Sequence, residues 1–210
     1  MIYAENILIC IAVPLVISLF FIKDKARHFV MAFVVGMVVC LMSAYISGFI
    51  KTASGMSAND TSIFISPIVE ELMKFIPVLF SLLLFEASSD GLLLGATGIG
   101  AGFATFENCC HILSTGAESL TYILIRGLAV GVMHLVSMIA LTMGFNLLRH
   151  YKALSFSGIV GALSLSMTFH GLYNLLVSGT EISASIGFII PLFCSLLLYI
   201  FYKRYKLFAD

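Results

Sequence analysis

The chain has 210 residues, 60% of them hydrophobic and 10% charged, and its 11 basic and 11 acidic side chains cancel. A soluble domain is nearer half apolar and a quarter charged, so no soluble fold of this length hides that much apolar surface. A membrane protein is the class that remains, and the zero balance points to no nucleic acid and no anionic partner.

Seven apolar segments follow in chain order: Ile7–Ile22, Phe29–Ile50, Ser62–Phe85, Gly91–Ser114, Leu120–Leu148, Ser155–Val177 and Ser185–Tyr202. About 20 residues cross a bilayer as helix. The first segment is short and reads as a tilted or partly interfacial helix. It has neither a basic n-region nor a small-x-small site before Lys23, Lys25 and Arg27, so it is expected to be retained. A barrel would alternate in strands of about ten residues, so helix is the spanning form that fits. The expected fold is all-α: a polytopic transmembrane bundle of about 7 (6–8) membrane helices with a conical polar cavity. It forms one domain over residues 1–210, with a four-helix core over 62–177.

The connections Lys23–His28, Lys51–Thr61, Glu86–Asp90, Thr115–Ser119, Arg149–Leu154 and Gly179–Ala184 are short and polar or Gly/Ser-rich. Basic residues collect in alternate ones: Lys23, Lys25 and Arg27, then Arg149 and Lys152, then the tail Lys203, Arg204 and Lys206. The intervening loops hold Lys51 with Asp60, Glu118 and Glu181. The positive-inside rule places the N-terminus outside and the C-terminus in the cytoplasm of a multi-pass cell (plasma or inner) membrane. No tryptophan is present, so Tyr3, Tyr45, Tyr151, Tyr199, Tyr202 and Tyr205 supply any interfacial belt. Cys10, Cys40, Cys109, Cys110 and Cys194 lie in apolar runs and read as small buried hydrophobes, not a disulfide framework. Gly91, Gly95, Gly98, Gly100 and Gly102 crowd the fourth segment at spacings that let helices approach closely.

Ionisable groups inside these segments carry the chemistry, because each costs about 2.5–3.5 kcal/mol at a helix centre unless paired or facing a cavity. The third segment holds Glu70, Glu71 and Lys74 between Pro67 and Pro77. Lys74 is within helical reach of both carboxylates and can neutralise one while the other serves as a base. A purely structural ion pair is the alternative. The fourth segment holds Glu107, Asn108 and His111, with Glu107 and His111 on one face. His111 sits near the segment's end, where interfacial solvation accounts for it. The fifth holds Arg126, either a glutamate's partner or an outward-reaching side chain, and His134 eight residues on. The sixth holds His170 and Asn174, four apart on one face; histidine moves protons or binds metals and asparagine can donate to an oxyanion. His28 and His150 fall in basic loops and read as solvated.

Depth suggests one shared site. At ~1.5 Å per residue, Glu70 and Glu107 each lie about 12 Å, His170 about 10 Å and His134 about 20 Å from the outer ends of their segments.

The set Glu70-Glu71-x-x-Lys74, Phe103-x-x-x-Glu107-Asn108, His134 followed by Gly144, and His170-x-x-x-Asn174 resembles the PrsW family of intramembrane proteases. That family is related to the CAAX prenyl protease and bacteriocin-processing superfamily. Glu107 stands where the broader superfamily has histidine, and Lys74 follows the second glutamate by three residues; both point to the PrsW branch. The resemblance covers Pro67 to Val177.

It implies hydrolysis of peptide bonds in membrane-anchored protein substrates at the lipid bilayer, of the kind that cuts anti-sigma factors near the outer face. Carried onto this chain, Glu70 or Glu71 activates a water, Lys74 compensates the other, and His170 with Asn174 steadies the oxyanion. Glu107 and His134 position groups, or Glu107, His134 and His170 ligate Zn2+ with an open water position. A metal-free glutamate mechanism is equally compatible. The readings from other classes are a proton- or cation-coupled transporter or channel, against which the small size and lack of an internal repeat count, and a catalytically silent membrane scaffold. The closest enzymatic rival, a prenyl-peptide protease, would face the cytoplasm.

Overall fold

The structure is a computed structural model that describes residues 4–85, 88–115, 119–149 and 155–205. Tyr3, Glu86, Glu118, His150, Tyr151, Lys152 and Lys206 lie outside the described residues. The elements run α1 (Ala4–Ser18), α2 (Asp24–Ser54), a single turn α3 (Ala58–Asp60) and a π-helical stretch (Thr61–Ile65) that leads into α4 (Ser66–Phe85). Then come α5 (Ser89–Thr115), α6 (Leu120–Arg149), α7 (Ser155–Val177) and α8 (Glu181–Tyr205). No strand occurs among the described residues, so the chain is all-α, and its long helices follow the apolar segments of the sequence.

The helices reach further than the apolar runs because a backbone in lipid must satisfy its own N–H and C=O groups. α2 begins at Asp24, so the expected Lys23–His28 loop is already helix. His28 is half-buried there, its Nε2 3.3 Å from where a Cβ on Gly95 would stand, so it packs on α5 instead of sitting in a solvated loop. At its other end α2 stops on Gly55, whose φ of 68° is the left-handed conformation glycine adopts at little cost. α3 is then capped by Ser57, whose hydroxyl accepts the Asp60 N–H at 3.0 Å.

Among the described residues, four helices are long and apolar enough to cross a membrane by length and composition: Asp24–Ser54, Leu120–Phe145, Phe156–Val177 and Glu181–Arg204. α1, at 15 residues, is shorter. α4 and α5 carry the charges Glu70, Glu71, Lys74 and Glu107. Burial is inverted relative to a soluble protein: Phe20, Phe49, Phe64 and Phe156 face outward, while Glu71, Lys74 and His134 are completely enclosed.

α2 packs most extensively on α5, and glycine sets the distance. A Cβ on Gly36 would run into the Ile99 carbonyl, and one on Gly102 into the Phe33 carbonyl. The two backbones therefore touch, as small residues allow in lipid. This fixes the face of α5 that carries Phe103 and Glu107. Gly36→Ala and Gly102→Ala are each expected to cost about 1–3 kcal/mol, seen as earlier thermal unfolding in detergent. Gly48→Ala, with open space around it, is the neutral control; equal behaviour of all three would contradict the close approach.

Candidate functional site

Four helices bring one polar side chain or more to a common point. Glu71 on α4 stands at its centre, fully buried. Its Oε1 accepts from Lys74 Nζ at 2.5 Å, one turn along the same helix, and meets His170 Nδ1 from α7 at 2.8 Å. Its Oε2 accepts from the Ser137 hydroxyl of α6 at 2.5 Å and the Ser166 hydroxyl of α7 at 2.8 Å. The two serine oxygens stand 2.8 Å apart, each giving its one proton to the carboxylate. A carboxylate held from so many sides has no lone pair left for a substrate or a water.

Lys74 is equally enclosed. Its Nζ reaches His134 Nδ1 at 2.9 Å and lies 4.8 Å from the centroid of the Phe103 ring. The ammonium is thus spent on Glu71, His134 and an aromatic face. His134 in turn meets Glu107 through Nε2 at 2.6 Å, and Arg126 lies 3.4 Å from the other Glu107 oxygen. A chain of alternating charge and imidazole therefore runs Arg126, Glu107, His134, Lys74, Glu71, His170. It opens at Glu107, which is 33% exposed and lines a pocket of about 640 Å3 with Arg126, His111 and Cys110. A larger, apolar groove of about 930 Å3 between α2, α4 and α5 reaches Met73, and none of the cluster's side chains lines it.

Glu70 is the exception. Its Oε2 is buried, has no hydrogen-bond partner, and lies 3.7 Å from His170 Nε2. One carboxylate of the adjacent pair is saturated and its neighbour is free.

A model of the PrsW family of intramembrane metalloproteases matches residues 24–202. The chain belongs to this family. No curated protein and no solved structure matches it. The PrsW match extends well beyond the motif-bearing stretch from Pro67 to Val177, taking in α2 and most of α8.

Of the residues singled out in the sequence, Glu71, Lys74, Glu107, His134 and His170 are joined in this network, and Glu70 stands beside it, 3.7 Å from His170. Arg126, open in sequence between two roles, pairs with Glu107. Asn174 is the outlier: its Nδ2 donates to the Ser62 backbone carbonyl at 2.8 Å. All five cysteines are free. Sequence reasoning misses Ser137 and Ser166. Their signal is positional, since Ser137 lies three residues after His134 and Ser166 four before His170, on the same helix faces.

The family is one of metalloproteases, so the donors need testing against a metal. Glu70, His134 and His170 each offer an atom within 4.8 Å of the others; the set drawn from sequence has Glu107 in place of Glu70. Two imidazoles and a carboxylate are a reasonable zinc set. The side chains as they stand do not fit one. Both His134 nitrogens are engaged, by Lys74 and by Glu107, and a buried ammonium beside the site repels a second cation. Only Glu70 Oε2 and His170 Nε2 remain, and catalytic zinc takes three protein ligands.

Glu71→Leu strands a buried ammonium and is expected to cost about 3–5 kcal/mol, read as thermal unfolding in detergent. Glu70→Leu is expected to cost far less, because it removes no hydrogen bond from Oε2. Equal losses would contradict the division of labour between the two.

Proposed function

We propose that the protein is an intramembrane peptidase that hydrolyses peptide bonds of membrane-anchored proteins, with Glu70 as the base. The observation that carries this is the contrast within the pair: Glu71 has its oxygens filled, whereas Glu70 Oε2 is buried, unpartnered and beside His170 Nε2. A base needs a free lone pair in a shielded site; Glu70 Oε2 offers one that is buried, whereas the lone pairs left on Glu107 belong to a carboxylate one-third exposed.

The residues act as follows. Glu70 Oε2 takes a proton from water as the oxygen attacks the scissile carbonyl carbon. His170, whose Nδ1–H is held by Glu71, acts as the imidazolium and donates from Nε2 to the oxyanion that forms. The proton on Glu70 then passes to the leaving amine as the C–N bond breaks. Lys74 touches no reacting atom; it neutralises Glu71 so that this carboxylate can hold His170. His134 and Glu107 support Lys74 from the far side. No metal takes part in these steps, because the donors are committed elsewhere.

The side of the membrane follows from charge. Lys23, Lys25 and Arg27 at the start of α2 and Lys203 and Arg204 at the end of α8 mark the cytoplasmic face. The N-terminus then lies outside, and the site lies in the outer half of a cell membrane. That depth suits substrates cut near the outer face, such as membrane-anchored anti-sigma factors. Nothing favours the transporter reading over this one.

The test is incubation of purified protein with a panel of single-span membrane substrates, with and without a zinc chelator. Wild type is expected to cleave in both conditions, and Glu70→Gln to fall by roughly a hundredfold or more while still folded. Full cleavage by Glu70→Gln would overturn the base assignment. Loss of wild-type cleavage on chelation would overturn the metal-free mechanism.

A further inference from the structure

We propose that Asn174 is a positioning residue that replaces a backbone donor missing at Pro67, and that it is not a donor to the oxyanion. The need arises in the π-helical stretch before α4. There the Ser66 N–H bonds the Thr61 carbonyl, five residues back. In that register the next bond would run from residue 67 to the Ser62 carbonyl. Residue 67 is proline and has no N–H. The usual α-helical donor for Ser62 would be Ser66, and that N–H is already committed to Thr61. The Ser62 carbonyl therefore has no donor within its own helix, and an unpaired carbonyl in a membrane protein is costly.

Asn174 supplies the donor, its Nδ2 lying 2.8 Å from the Ser62 oxygen. The helices come close enough for this because residue 171, on the same face of α7, is glycine: a Cβ there would sit 3.3 Å from the Ile63 carbonyl and 3.8 Å from Pro67 Cγ. The bond thus joins α7 to the start of α4 at the point where the proline breaks the backbone ladder. His170 lies one turn before Asn174, and Glu70 and Glu71 lie three and four residues after Pro67. The clamp sets the distance between the two halves of the site, including the 3.7 Å from Glu70 Oε2 to His170 Nε2. Asn174 acts through His170 and does not touch the substrate. The consequence for cleavage rests on the peptidase reading; the consequence for stability does not.

The test is a double-mutant cycle in full-length protein in detergent: wild type, Asn174→Ala, Pro67→Ala and the double variant. The Pro67→Ala substitution restores an N–H that can take the Ser62 carbonyl. Asn174→Ala alone is expected to lower the melting temperature and to reduce cleavage of single-span substrates by roughly tenfold to a hundredfold, through displacement of His170. In the Pro67→Ala background the same substitution is expected to cost much less in both readouts. Equal losses in the two backgrounds, or lost cleavage with an unchanged melting temperature, would overturn the proposal and return Asn174 to the oxyanion.

Hydrogen exchange of the segment 61–71 gives a second measure that needs no Pro67 variant. Asn174→Ala is expected to speed exchange there, and unchanged exchange would count against the clamp. A wild type that cleaves nothing would count against the peptidase reading alone, since melting and exchange still decide the clamp.

Discussion

The pairing of Glu71 with Lys74 is the interaction on which the rest depends. Neither group survives alone in the interior of a membrane protein, and one turn of helix is the shortest reach that lets them meet. Because the pair lies inside the bundle, each remaining valence must be met from a neighbouring helix. Ser137 and His134 of α6, Ser166 and His170 of α7, and Phe103 of α5 provide those partners. The ion pair therefore acts as a keystone: four helices are held in register by one carboxylate and one ammonium. Its saturation is also what separates the two glutamates. Glu71 holds the structure, and Glu70, one residue earlier and turned toward His170 Nε2, is left free to react.

The glycines of α5 and α2 have a supporting part. Their contact fixes the face of α5 from which Phe103 covers Lys74 and Glu107 reaches His134. α4 is less regular. Its π-helical entry and Pro67 cost backbone hydrogen bonds, and the loss is offset from α7 through Asn174. The irregularity falls at the start of the helix that bears Glu70 and Glu71.

Much of this is legible in the sequence because lipid leaves few options. Apolar runs must be helices, so the all-α class and the segment order follow directly. Buried charges must find partners, so Glu70, Glu71, Lys74, Glu107, His134 and His170 stand out without an alignment. Periodicity gives faces but not which faces meet, and it does not say which glutamate Lys74 takes. It also passes over small hydroxyls: Ser137 and Ser166 look like ordinary helix-packing residues until a carboxylate is seen against them. Asn174 misleads for a related reason. Its spacing from His170 suggests shared chemistry, whereas the missing N–H of Pro67, more than a hundred residues earlier, gives it a backbone partner. His28 reads as solvated because its neighbours are charged, yet the helix starts four residues before it and turns it onto α5.

The central claim is that peptide hydrolysis occurs between Glu70 and His170 while Glu71 serves only to hold the site. The most direct measurement is an experimental structure of the Glu70→Gln protein trapped with a single-span membrane substrate. The account predicts the scissile carbonyl carbon within about 3–3.5 Å of a water held by residue 70, with its oxygen toward His170 Nε2. Glu71 should remain bonded to Lys74, Ser137 and Ser166, with no contact to the substrate. A substrate carbonyl resting against Glu71, or a metal ion bound between His134 and His170, would contradict it.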